Sequence, residues 1–114
     1  MEKDAENESP LVCDLTALGA EQREHHQALA QELRASVLEA KELAEGYASR
    51  YPSEPSLCIR LAEFITLERL CCPFLRLALE FEAEQGPVWL RWTGREGVKQ
   101  FRSEERRVGK ECRL

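Results

Sequence analysis

The apolar period of this chain changes once, abruptly, at Cys71-Cys72-Pro73. Upstream, Leu57, Leu61, Phe64, Ile65, Glu68, Cys71 and Cys72 follow the i, i+3, i+4, i+7 spacing of a helix that buries one face. Downstream, Leu75, Leu77, Leu79 and Phe81 alternate with Arg76, Ala78, Glu80 and Glu82, the pattern of a strand with one buried face. Proline lacks an N–H and pushes the residue before it out of helical geometry, so the helix must end at this point. A helix feeding directly into a half-buried strand predicts an α+β domain. Glu68 occupies a position in the helical stripe where a leucine would be expected, and a carboxylate there needs a partner.

The remaining segments extend this pattern. The cysteine-bearing helix is predicted from about Pro55 to Cys71 or Cys72, with Ser53 as its N-cap and Pro55 in its first turn. A first helix is predicted from about Leu18 to Ala35, with Leu29 and Leu33 inward and the His25-His26 pair on it. Val37 to Tyr51 fits two readings. Leu33, Val37, Ala40 and Ala44 would continue the helix up to Gly46, while Ala44-Glu45-Gly46 also reads as a three-residue hairpin turn with glycine left-handed. Glu84-Gln85-Gly86-Pro87 is a second turn, after which Val88, Leu90 and Trp92 alternate with Trp89 and Arg91. A short helix from Arg95 to Arg102 would turn Val98 and Phe101 inward.

The ends carry no such period. Residues 1–10 read as a disordered leader, and residues 103–114, with seven charges in twelve residues, as a disordered tail. Leu11 to Thr16 is a short apolar run that suits an edge strand or a lead-in packed on the core. The expected architecture is one domain over residues 11–102, ordered helix, hairpin, helix, hairpin, helix. Its two hairpins form an antiparallel sheet with helices on one face. The repeated order hints at an internal duplication.

Composition narrows the functional classes. A chain of 114 residues can bury a sufficient core without disulfides. Five cysteines, an odd number with two adjacent, do not form the framework of a secreted domain and point to a reducing compartment. The first ten residues hold no basic segment followed by an apolar one, so a cytoplasmic location is expected. No apolar run is long enough for a membrane span, and a net charge of −5 argues against a nucleic-acid surface.

Several pieces of the chain carry a resemblance. Cys13-Asp14-Leu15-Thr16, Glu42-Leu43-Ala44-Glu45-Gly46-Tyr47, Leu61-Ala62-Glu63-Phe64-Ile65, Leu67 to Phe74 and Trp89 to Lys99 resemble a family of small bacterial proteins marked by Glu-Arg-x-Cys-Cys-Pro-Phe. In that family the segment matching Glu42 to Tyr47 looks like strand, tight turn with proline, and strand, although Ala44 stands here in the proline's place. The resemblance therefore favours the hairpin. Modules similar to Cys-Cys-Pro-Phe occur beside mercury- or arsenic-resistance functions or joined to mercury-resistance-type regulators, which implies a soft-metal role. The segment Arg102 to Cys112 resembles a recurrent read-through tail, which implies that the native chain continues differently after Phe101.

Cys71 and Cys72 admit three readings. As thiolates they suit zinc, copper(I) or mercury, and Cys71 and Cys72 lie three and four residues after Glu68, within reach on a helix. Adjacent helical side chains diverge by about 100°, so one of the two shares a site with Glu68, and Cys13 or a second subunit must complete it. The candidate metal ligands are Cys71, Cys72, Cys13 and Glu68. As a nucleophilic or redox thiol, either cysteine is disfavoured by the helix C-terminus and the nearby carboxylate. As packing residues, both are ordinary, and so are Cys58 and Cys13. Glu68 could equally be held by Arg69 or a backbone donor.

His25-His26 reads as a solvated pair, because neighbours on a helix cannot chelate. Trp89 faces away from Val88, Leu90 and Trp92, which suggests either a covered second face or a surface for a second copy or a regulator. Two readings follow: a small cytoplasmic thiol-bearing accessory protein that binds a soft metal, or a non-catalytic interaction module with structural cysteines. No base is identifiable beside the thiols, so an enzyme is the weaker third.

Overall fold

The computed structural model describes residues 14–100. The expected leader, the run Leu11 to Cys13, Phe101 and the charged tail fall outside the described residues, as does the candidate ligand Cys13. The fold is α+β, with a four-stranded antiparallel sheet and two long helices among the described residues.

The chain enters through a 3-10 turn, Leu15–Ala17, closed by Asp14, whose Oδ1 accepts the Thr16 N–H at 3.1 Å and the Thr16 hydroxyl. Helix α1 then spans Ala20–Ser36. The expected start at Leu18 is two residues early, because the 3-10 turn uses the preceding segment and Gly19 is the N-cap, its N–H donating to Gln22 Oε1 at 3.0 Å. The predicted inward residues Leu29 and Leu33 are buried, and so is His26.

The first hairpin replaces the alternative of a continued helix. Val37 is extended, and Leu38 N–H donates to the Arg50 carbonyl at 2.7 Å, which carries the chain into the sheet. Strand β1 covers Glu39–Leu43 and β2 covers Gly46–Tyr51. The turn is Ala44-Glu45, so Gly46 is not the left-handed residue expected there: it is the first residue of β2, opposite Leu43 and Thr93. Its glycine identity has another cause. A Cβ on Gly46 would lie 2.0 Å from the Trp92 carbonyl oxygen, so only glycine allows the neighbouring strand to approach this closely.

Helix α2 spans Pro55–Cys71. Its N-cap is Glu54 rather than the expected Ser53, because Pro55 takes the first helical position and forces the residue before it to be extended. Strand β3 is Arg76–Phe81 and β4 is Val88–Thr93. The turn between them holds Gly86 N–H to the Ala83 carbonyl at 3.1 Å, with Glu84 and Gln85 both at left-handed φ. A helical turn begins at Val98, which is fully buried as predicted.

The sheet order is β1-β2-β4-β3, so each hairpin places its second strand at the centre. One face of β2 and β4, carrying Tyr51, Val88, Leu90 and Trp92, joins Leu29, Ala30 and Leu33 of α1 and Leu57, Leu61 and Phe64 of α2 in one core. Burial pushes the Tyr51 phenol well above its usual range. The expectation that Leu75, Leu77, Leu79 and Phe81 are all buried is corrected. The three leucines are half-buried, and Phe81, the last residue of the outer strand, is 58% exposed.

Trp89 does face away from the core, but it is only 8% exposed. Lys41 Nζ sits 4.8 Å from its ring centroid, and its Nε1–H donates to Glu82 Oε2 at 3.0 Å. The side chains of Lys41 and Glu82 therefore cover it. No helix among the described residues is long and apolar enough to cross a membrane.

Candidate functional site

Helix α2 presents Phe64, Glu68 and Cys71 on its buried face, four and three residues apart, so the three line up along one side of the cylinder. Helix α1 lies alongside and presents His26, three residues before Leu29 and seven before Leu33, on the same inward stripe. His26 Nε2 and Glu68 Oε1 share a hydrogen bond of 2.8 Å, with both side chains only 1% exposed. The His26 ring also stacks on Phe64, with centroids 5.0 Å apart and planes inclined by 11°. Glu68 is thus paired with His26 across the helix interface.

The helix ends just beyond. Cys72 N–H donates to the Glu68 carbonyl at 2.8 Å, and Cys72 adopts φ −129° and ψ 69°, out of helical geometry as Pro73 demands. That departure matters for the thiols, because the divergence expected of helical neighbours does not apply to the pair. The two sulfurs lie 3.9 Å apart, both are fully buried, and no disulfide joins them. Cys71 Sγ–H also reaches the Glu68 carbonyl at 3.7 Å. Phe74, Val98 and Leu75 pack around the cysteines as a second, smaller apolar cluster.

One nitrogen of His26, one oxygen of Glu68 and the sulfur of Cys71 all lie within 4.8 Å of one another. Of the predicted ligands, Glu68 and Cys71 therefore meet in one cluster, Cys72 stands beside it through its contact with Cys71, and Cys13 is not described. Asp14, the residue after Cys13, donates its N–H to the Cys71 carbonyl at 2.8 Å.

His26 is the member that sequence reasoning missed, and its expected solvation is corrected for this half of the pair. His25 is exposed, near Glu63 at 3.4 Å, whereas His26 is buried, because a step of about 100° separates neighbours on a helix. The signal was available: His26, Leu29 and Leu33 share one helical stripe, and Glu68 on the facing helix lacked an assigned partner. A thiol, an imidazole and a carboxylate also make up a nucleophile and base, but with exposures of 0% to 1% they offer no surface to a substrate. No protein-family model, curated protein or solved structure matches this chain.

Proposed function

We propose that this chain is a small thiol-bearing accessory protein that takes up a zinc-type metal ion between its two helices, in a compartment that keeps its cysteines reduced. The observation that carries this reading is the convergence of nitrogen, oxygen and sulfur donors from His26, Glu68 and Cys71 within 4.8 Å. A mixed donor set of this kind suits zinc, whereas mercury and copper(I) would favour the two sulfurs of Cys71 and Cys72. The sulfur separation of 3.9 Å supports a second thiolate from Cys72. A tetrahedral zinc with bonds of about 2.3 Å to sulfur spaces two thiolates by about 3.8 Å. The resemblance of the Cys-Cys-Pro-Phe segment to modules beside mercury-resistance functions supports the same class of cargo.

Uptake would have a defined cost in protons. Each coordinating thiol would lose its proton to solvent, while the imidazole hydrogen shared with Glu68 would move to Nδ1, so binding releases the thiol protons and tightens as pH rises. The test is a competition titration of the reduced, untagged protein with zinc against a chromophoric chelator. One ion per chain is expected, lost in the Cys71→Ser, Cys72→Ser double variant and weakened by about tenfold or more in His26→Gln. Equal binding by all three proteins would remove the proposal.

A second reading has its own observation. The direct 2.8 Å contact between His26 and Glu68 closes the pair without any ion. Under that reading the cluster is a buried polar clasp between the helices, the cysteines are packing residues, and the protein is an interaction module. It predicts no stoichiometric metal at all.

A further inference from the structure

We propose that the outer edge of β3 pairs antiparallel with β3 of a second copy, joining two sheets into one across a two-fold axis at Ala78. Among the described residues, β3 is hydrogen-bonded on one side only, to β4. The ladder fixes which backbone groups remain. Glu82 N–H donates to the Pro87 carbonyl at 3.2 Å, in register with the Phe81–Val88 and Glu80–Trp89 pairs. Lateral direction alternates along a strand, so Arg76, Ala78 and Glu80 turn their N–H and C=O groups to β4, and Leu77, Leu79 and Phe81 turn theirs to the open edge.

An antiparallel self-pairing centred on Ala78 sets Leu77 opposite Leu79 of the second copy, with both pairs exchanging N–H and C=O. The side chains match in the same register. On the helix-bearing face, Leu77 meets Leu79 and Phe81 meets Leu75, so half-buried leucines and the 58% exposed Phe81 gain cover. On the other face, Arg76 meets Glu80 on both sides of the axis, which makes the strand complementary in charge to itself.

The other edge of the sheet lacks this character. Strand β1 carries exposed Glu39, Lys41 and Glu42 along five residues, and charges on a short edge are a common guard against pairing. Strand β3 has no lysine, proline or bulge in its six residues. The pairing is independent of metal uptake, and its Arg76–Glu80 contacts lie on the same face of the sheet as Trp89.

The experiment is sedimentation equilibrium of the full chain over a range of micromolar concentrations. The wild type is expected to be a dimer in equilibrium with monomer. Arg76→Glu and Glu80→Lys each place like charges opposite one another and should weaken the dimer by about tenfold, while an equimolar mixture of the two variants restores association as a heterodimer. Both sites are exposed, and far-ultraviolet circular dichroism checks that the fold is kept. Ala78→Cys supplies an independent readout, since opposed Cα atoms of a non-hydrogen-bonded pair lie about 4.5 Å apart and should form a disulfide on mild oxidation. A wild type that stays monomeric, as it would if another part of its own chain covered the edge, overturns the proposal. So does a dimer indifferent to Arg76→Glu, or a mixture no tighter than either variant alone.

Discussion

The core between helices and sheet and the cluster at the C-terminal end of α2 are equally buried, yet they are built on different principles. In the core, Leu33, Leu61, Val88 and Leu90 interlock through shape alone, all fully buried and all apolar. At the helix end, His26 and Glu68 are held by a directional contact and two thiols sit side by side without a disulfide between them. Shape-filling residues contribute roughly in proportion to the area they bury. A buried polar pair contributes through mutual dependence, because each member is costly without the other. The same burial therefore predicts two different responses to mutation.

The largest effect should come from splitting the pair. Glu68→Ala should cost about 3 to 5 kcal/mol in chemical denaturation, whereas replacing both partners, as in His26→Leu with Glu68→Leu, should fall close to the wild type. Additive costs for the two substitutions would show that the contact carries no coupling. Leu61→Ala, in the core, should cost about 2 to 5 kcal/mol, and no second truncation should recover it. The two regions would cease to differ if a compensating partner for Leu61 were found.

Burial also separates the thiols. Among the described cysteines, Cys58 is half-buried while Cys71 and Cys72 are closed off, so residue-resolved alkylation of the native protein should modify Cys58 before either of them. Modification of Cys71 and Cys72 should follow the rate of opening of the helix end, and should accelerate in Glu68→Ala. Rapid labelling of Cys72 in the wild type would mean that the cluster is open. The smallest expected effect lies in the second hairpin turn, where Gln85 is held at φ 61°. Gln85→Gly should relieve about 1 to 2 kcal/mol of left-handed strain and return about 0.5 to 1 kcal/mol of that as chain entropy, a small net gain seen as a slightly higher denaturation midpoint.

What was legible in the sequence follows the same division. The boundary between α2 and β3 was readable because Pro73 stops a helix whatever surrounds it, and because a one-sided strand must alternate. Strand β1 was not readable from periodicity, since an edge strand exposed on both faces carries no alternation, and Ala40, with Ala44 of the turn, fits a helical stripe equally well. Glu68 announced a partner without naming it, because the spacing of one helix says nothing about the neighbour that faces it. His26 was hidden by its vicinal His25, and the approach of the two sulfurs by a backbone that leaves the helix at Cys72. Trp89 was placed on the correct face, but the long stem of Lys41 covers it, a contact between strands that no local pattern encodes.

The most direct test of the metal reading is X-ray absorption at the zinc edge of the reduced, zinc-loaded protein. The proposed site predicts a mixed first shell, with nitrogen and oxygen at about 2.0 to 2.1 Å and sulfur at about 2.3 Å, whose sulfur component disappears in the Cys71→Ser, Cys72→Ser variant. A shell of nitrogen and oxygen alone, or one unchanged by that variant, would contradict it and leave His26 and Glu68 as a clasp between two helices.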